Sequence, residues 1–251
     1  MKLSAVIIAY NEEKNLPRAI KSVKDLVDEI IVVVDSRTTD KTKEVAEKHG
    51  AKTFVREFDT FANQKNFAAD NSRGEWILSL DADEKVTPEL ARELKSKLQN
   101  PKPKVEAYSI PRKNIIFGKF IKYTRWQPEL DRHIWLWRKG KGKWVGDVHE
   151  ELEVNGEVEA LKYPKIHYQY ETVSEFLKMM NSYSEMDAAQ RVKIGVGFSL
   201  LKFLLDPLYN FLVRYFYRLG FLDGWRGYVL SCLMAIYHLE ICIKIWERKN
   251  A

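Results

Sequence analysis

Cysteine is nearly missing from this chain: 251 residues hold only Cys232 and Cys242, both inside an apolar C-terminal stretch. Two such residues make neither a disulfide framework nor a metal knuckle, which points to a reducing compartment. Low-complexity tracts are missing too, and 45% hydrophobic residues suit a folded chain rather than a disordered one. No long apolar run opens the sequence. The stretch AVIIAY is broken at Asn11-Glu12-Glu13, too early for an export signal, so none is expected. Acids are outnumbered: 41 Lys and Arg face 35 Asp and Glu, a formal charge of +6. Such an excess suits nucleic acid, an anionic membrane face or phosphorylated substrates. The length allows one sizeable core, or a core with an appendage.

What is present has a regular beat over the first hundred residues. Short apolar runs rich in β-branched residues fall at 5–10 (AVIIAY), 29–34 (EIIVVV), 53–55 and 76–80. Helical patterns separate them at 16–26, 41–49 and 61–72, and a further one covers 89–98. Pro17 suits the first turn of the first helix, and Asp40 or Thr39 is expected to cap the second. Strands alternating with helices predict an α/β fold with a parallel sheet buried on both faces. From about 105 to 170 the runs AYSIPR, IWLWRKG, KWVG, EELEV and EVEALKY are parted by Gly-rich turns. They predict a mixed or antiparallel extension of that sheet.

The fourth run ends unusually. WILSLDADE puts Asp81, Asp83 and Glu84 within four positions of a stretch that reads as buried strand. Ligands of open parallel sheets bind in the crevice at the carboxyl ends of the strands. Asp35 and Asn11 follow the second and first runs in the same way. Repulsion between Asp81 and Asp83 is tolerable if a hard cation sits between them and an anionic ligand, as Mg²⁺ does with one or two carboxylates and phosphate oxygens. A solvated acidic turn is the competing reading.

The stretches VIIAYNEEKNLPRAIKSV, EIIVVVDSRTTDKT and QKNFAADNSRGEWILSLDADE, in this order and spacing, resemble the nucleotide-sugar domain of family 2 glycosyltransferases. VHEELEV and GFLDGWRG extend the resemblance, which is strongest to the bacterial subgroup that includes β-1,4-glucosyltransferases of lipopolysaccharide core synthesis. The resemblance implies a GT-A fold, Rossmann-like and mostly parallel, over 1–170. It implies a UDP-sugar or another nucleoside-diphosphate sugar as donor, and Mg²⁺ or Mn²⁺ as cofactor. Ala9, Tyr10, Asn11 and Glu12 would line the nucleotide pocket. Asp35 would contact base or ribose, and Lys65 would lie near the diphosphate. Asp81 would contact ribose or metal-bound water, and Asp83 would ligate the metal. One departure stands out: Arg37 occupies a position where the family usually has glycine.

Inverting transfer also needs a base to take the acceptor's hydroxyl proton. GDVHEEL offers Asp147, His149, Glu150 and Glu151, and the resemblance favours Glu150, with Asp147 as second choice. His149 and His167 are left unassigned. The acceptor implied is a lipid-linked or lipopolysaccharide-core saccharide, and nucleic acid is not among the expected partners.

Residues 171–251 pose a separate question. Segments 198–219 and 225–246 are dense in Leu, Ile, Phe, Tyr and Trp, yet carry Lys202, Asp206, Arg214, Arg218, His238, Glu240 and Lys244. Mid-span charges are costly, and the uncharged stretch 227–237 is too short to span. A helical extension lying in the interface, with basic residues toward anionic headgroups, is expected, at the inner face of the cytoplasmic membrane. A dimer interface or core cap is the alternative. Rival functions are a polyprenyl-phosphate glycosyl synthase, a haloacid-dehalogenase-type phosphatase, and a non-enzymatic membrane-associated module.

Overall fold

The computed structural model describes residues 2–99, 104–146 and 150–250. Asp147 and His149 lie outside the described residues. Strands β1 (Leu3–Ala9), β2 (Glu29–Asp35), β3 (Lys52–Arg56) and β4 (Trp76–Ser79) alternate with helices α1 (Leu16–Val23), α2 (Thr42–Lys48) and α3 (Phe61–Asp70). These strands lie parallel in the order β3-β2-β1-β4, with Ile7 opposite Val32 and Ala5 opposite Leu78. Ala5, Ile7, Ile31, Val33 and Leu78 are buried, as expected of a sheet covered on both faces. α1 buries Leu16, Ala19, Ile20 and Val23, one face at helical spacing, each large side chain contributing about 1.5–3 kcal/mol. Gly74 is needed where the chain enters β4: a Cβ there would sit 2.6 Å from the Ser4 backbone nitrogen.

The second half of the sheet is mixed. β5 (Glu84–Lys85) and α4 (Pro88–Gln99) follow the acidic turn, then come β6 (Val105–Ile116), β7 (Lys119–Phe120), β8 (Arg132–Arg138), β9 (Gly142–Val145), β10 (Glu151–Val154), β11 (Glu157–Ala160) and β12 (Lys165–Tyr168). β8 runs antiparallel to β4 with Leu136 opposite Leu78, and β6 is antiparallel to β8. β12 pairs antiparallel with β5, setting His167 opposite Glu84. β11 is parallel to β6, while β9 and β10 form a separate hairpin. Capping of α2 differs from expectation. The cap position is Lys41, although Asp40 Oδ1 accepts the Thr42 N–H at 2.9 Å.

The chain divides into two compact units, one of residues 1–113 and 131–167, the other of 114–130 and 168–251. Segment 114–130 thus groups with the C-terminal helices, not with the sheet domain that precedes it in sequence. In this second unit α5 (Val173–Lys193) starts with a reciprocal cap between Thr172 and Glu175. Its Phe176 and Met180 pack with Ile116, Ile121, Leu230 and Leu233, the last two from α7 (Trp225–Asn250). α6 (Leu200–Leu212) buries no residue: Leu201, Leu204, Leu208 and Tyr209 are all exposed. Among the described residues, α7 is the one helix long and apolar enough to cross a membrane, and 44% of that stretch is buried inside the protein.

Candidate active site

Three strand ends and one helix build the site. Past β1 the backbone turns at Asn11, whose φ of +55° is a left-handed conformation that asparagine tolerates. Asn11 is not a helix cap; its side-chain oxygen accepts the Thr39 N–H at 2.9 Å and ties the β1 and β2 ends together. Tyr10 is exposed beside it, and Ala9 is buried as the last residue of β1. Glu12 accepts from Asn15 Nδ2 at 2.9 Å. Burial, with the charges of Asp83 and Asp40 adding to it, pushes its carboxyl up to about 7.

Asp35 ends β2 and is buried. Arg37, the departure from the family pattern, folds back on it: Nη2 lies 2.5 Å from Oδ2, and Nε reaches both oxygens at 3.1 Å. That hydrogen bonding holds Asp35 well below the usual carboxylate range despite burial. The Arg37 guanidinium also sits 5.7 Å from the Tyr10 ring and 5.3 Å from Phe58.

The acidic turn after β4 splits into different environments. Glu84 is fully buried; its Oε2 caps the Asp81 N–H at 2.9 Å and meets Lys165 Nζ at 2.5 Å. Asp83 Oδ2 lies 3.2 Å from His167 Nε2. Asp81 Oδ1 lies 3.2 Å from Lys65 Nζ, which also donates to Glu150 Oε1 at 2.8 Å. Lys65, on α3, has a side chain only 4% exposed and faces the rings of Trp144 and Trp135 at 4.6 and 5.1 Å. α3 is held to β9 by Asn66, which exchanges two 2.9 Å hydrogen bonds with the Trp144 backbone. The structure therefore brings Lys65, Asp81 and Glu150 into one cluster, with Asp83 on the same turn.

Burial opposes the charges in this cluster, and for Lys65 and Asp81 the partners outweigh it. Lys65 is held above its ordinary pKa by Asp81 and Glu150. Asp81 is held far below its own by Lys65, Lys165, Arg112 and His167. Lys165 falls to about 8, because burial exceeds what Glu84 and Asp81 return. Among the described residues, five carboxylates (Asp81, Asp83, Glu84, Asp131, Glu150) face three basic side chains (Lys65, Lys165, Arg112), an excess of two negative charges. No group of three or more His, Cys, Asp or Glu among the described residues is arranged to hold a metal by itself. A divalent ion that takes one or two carboxylates and completes its shell with phosphate oxygens needs no such group, and the excess charge fits it.

Sequence reasoning missed Lys165, Arg112, Trp135 and Trp144, and left His167 unassigned. Lys165 and His167 share one face of a short strand by their spacing of two, a faint signal in KIHY. Nothing local marks Trp135 and Trp144 as the floor beneath a lysine.

A parallel sheet whose strand ends gather acids, a buried lysine and an acidic partner is the layout of a nucleotide-dependent transferase domain. The model of the family described as Glycosyl transferase family 2 matches residues 4–149. An uncharacterized glycosyltransferase of Rickettsia typhi is 31% identical over 98% of this chain and 87% of its own. The lipopolysaccharide core biosynthesis glycosyltransferase LpsC of Rhizobium meliloti is 28% identical over 99% of this chain and 93% of its own. Among solved structures, S. aureus TarS 1–349 aligns with 100% of this chain and 92% of its own at 13% identity and a TM-score of 0.48. The chain belongs to glycosyltransferase family 2. That membership, with the acidic motif after the fourth strand rather than the first, removes the phosphatase and the non-enzymatic module.

Proposed function

We propose that this enzyme moves a sugar, with inversion, from a UDP-sugar or related nucleoside-diphosphate sugar to a lipid-linked or lipopolysaccharide-core saccharide. The observation that carries the reading is the Asp81–Lys65–Glu150 cluster beside Asp83 at the strands' carboxyl ends. Glu150 Oε1 is anchored by Lys65, which supports Glu150 as the base that takes the acceptor hydroxyl proton. Asp83 and His167 would hold Mg²⁺ or Mn²⁺, with Asp81 beside them, and the ion would supply charge neutralisation for the departing phosphates. Tyr10, Asn11 and the Asp35–Arg37 pair form the wall that receives the nucleoside.

The LpsC relative supports a saccharide acceptor in lipopolysaccharide synthesis. The exposed leucines of α6, with Phe216, Tyr217 and Trp225, support docking on an anionic membrane face, which would be the cytoplasmic one. Release of nucleoside diphosphate from labelled UDP-, GDP- and TDP-sugars, with and without Mn²⁺, tests the reading. Metal-dependent turnover of one donor, lost in Asp83→Ala, is the expected result. Turnover that ignores both the metal and Asp83→Ala would overturn it.

A further inference from the structure

The GFLDGWRG stretch, residues 220–227, is far from the acidic motif in sequence and has no part in the chemistry above. Its construction is specific. Asp223 accepts the Lys122 and Tyr123 N–H groups at 3.1 and 2.8 Å. A Cβ on Gly220 would lie 2.5 Å from Thr124 Cγ2 and 2.7 Å from the Arg214 carbonyl oxygen, and one on Gly227 would lie 1.8 Å from the Gly220 oxygen. Both glycines are thus required for loop 122–125, the turn at 213–217 and the start of α7 to meet.

Three arginines lie on the segments that meet there. The Arg214 Nη1 donates to the Thr124 carbonyl at 2.8 Å, and the Thr124 N–H donates to the Arg218 carbonyl at 3.2 Å. Arg125 follows in the same loop, and Thr124, Arg125 and Leu219 all have left-handed backbones, with φ of +58°, +79° and +57°. Such outliers persist only where the surroundings enforce them. Arg214 is buried, its Nε has no hydrogen-bond partner, and its guanidinium lies 5.2 Å from the Trp126 ring. None of the three arginines forms an ion pair among the described residues. Burial, then Arg125 and Arg218, push the Arg214 pKa down to about 10, and burial with Arg214 pushes His238 down to about 4, leaving it neutral.

We infer that Arg125, Arg214 and Arg218 form a binding site for a phosphate group, carried on a lipid or free in solution. Guanidinium forks match phosphate oxygens geometrically, and a doubly charged anion relieves the mutual repulsion while satisfying the buried Nε. Exposed Phe216, Tyr217, Phe221 and Trp225 flank the site, as expected of a surface that works at headgroup depth. The inference rests on none of the donor chemistry of the proposed function.

The test uses the full chain, as wild type, R125A/R218A and the charge-matched control K178A/K193A, whose lysines are exposed on α5. Each is sedimented with phosphatidylcholine vesicles with and without phosphatidate, and titrated with inorganic pyrophosphate. The expected result is a preference for phosphatidate that falls about thirtyfold in R125A/R218A and is largely kept in K178A/K193A. Parallel dependence for pyrophosphate in solution would assign the site to a free phosphate group; retention on vesicles alone assigns it to lipid. R214K, which keeps the buried charge, should weaken the same binding without lowering the melting temperature as a truncation would. Equal losses in both double variants, or no phosphate binding by wild type, overturns the inference. Donor turnover is measured alongside, so a failed donor reading is seen separately.

Discussion

Removing Lys65 should expose how the cluster is balanced. Its ammonium lies 2.8 Å from Glu150 and 3.2 Å from Asp81, and its own side chain is 4% exposed. Lys65→Met keeps the stem against Trp135 and Trp144 but removes the ammonium between the Asp81 and Glu150 carboxylates. Taking one partner from a buried ion pair costs about 3–5 kcal/mol. Asp81 at 26% and Glu150 at 17% exposure keep some solvation, so the low end, about 3 kcal/mol, is expected at neutral pH. At roughly 2–4 °C per kcal/mol, the melting temperature should fall by about 6–12 °C. The pH dependence gives the sharper check. Asp81 has a depressed folded pKa, so its stabilisation is present above the unfolded value and is lost as pH falls through the folded one. Without Lys65 that pKa rises, and protonation relieves the variant first. Lys65 has a raised folded pKa, so its share is complete below the unfolded value and fades only as pH rises through the folded one. Urea unfolding of both proteins at pH 7.5 and pH 5 should show a gap that narrows on acidification. A midpoint equal to wild type at pH 7.5, or a gap unchanged at pH 5, would refute the reasoning.

Further outcomes are expected elsewhere in the chain. Glu150→Gln should leave nucleotide affinity intact while transfer falls about 10²–10⁴-fold, read from paired calorimetry and turnover. Transfer at the wild-type rate in Glu150→Gln would instead return the role to Asp147. Arg37→Gly should raise the Asp35 pKa toward its ordinary range, since the guanidinium is what holds it down; an NMR titration that finds no rise contradicts the pairing. Leu204→Gln/Leu208→Gln should weaken sedimentation with anionic vesicles at an unchanged melting temperature, because both side chains are exposed on α6. Truncation near Gly195 would remove α7 and uncover Phe176, Met180, Ile116 and Ile121, so the melting temperature of the second unit should fall.

The sequence by itself determined the alternation of β-branched runs and helices, because strand and helix periods are written locally in which side chains are apolar. It also placed Asp35 at the end of one strand and Asp81 and Asp83 just past the end of another, since each closes an apolar run. Asp35 and Arg37 stand two residues apart, so their contact is local, and the arginine at position 37 is legible in the sequence alone. Tertiary structure alone decided the rest. Lys65 meets Glu150 across 85 residues and Glu84 meets Lys165 across 81, pairings set by the register of β12 on β5 and the docking of α3 on β9. It decided that Glu84, read from sequence as one more acid in a turn, is buried and capping Asp81. It also moved segment 114–130 to the company of the C-terminal helices, where the Arg214 guanidinium, with no ion pair among the described residues, meets the Thr124 carbonyl across 90 residues. Charges buried far apart in sequence acquire their partners only when the chain closes, and no local pattern records which partner that will be.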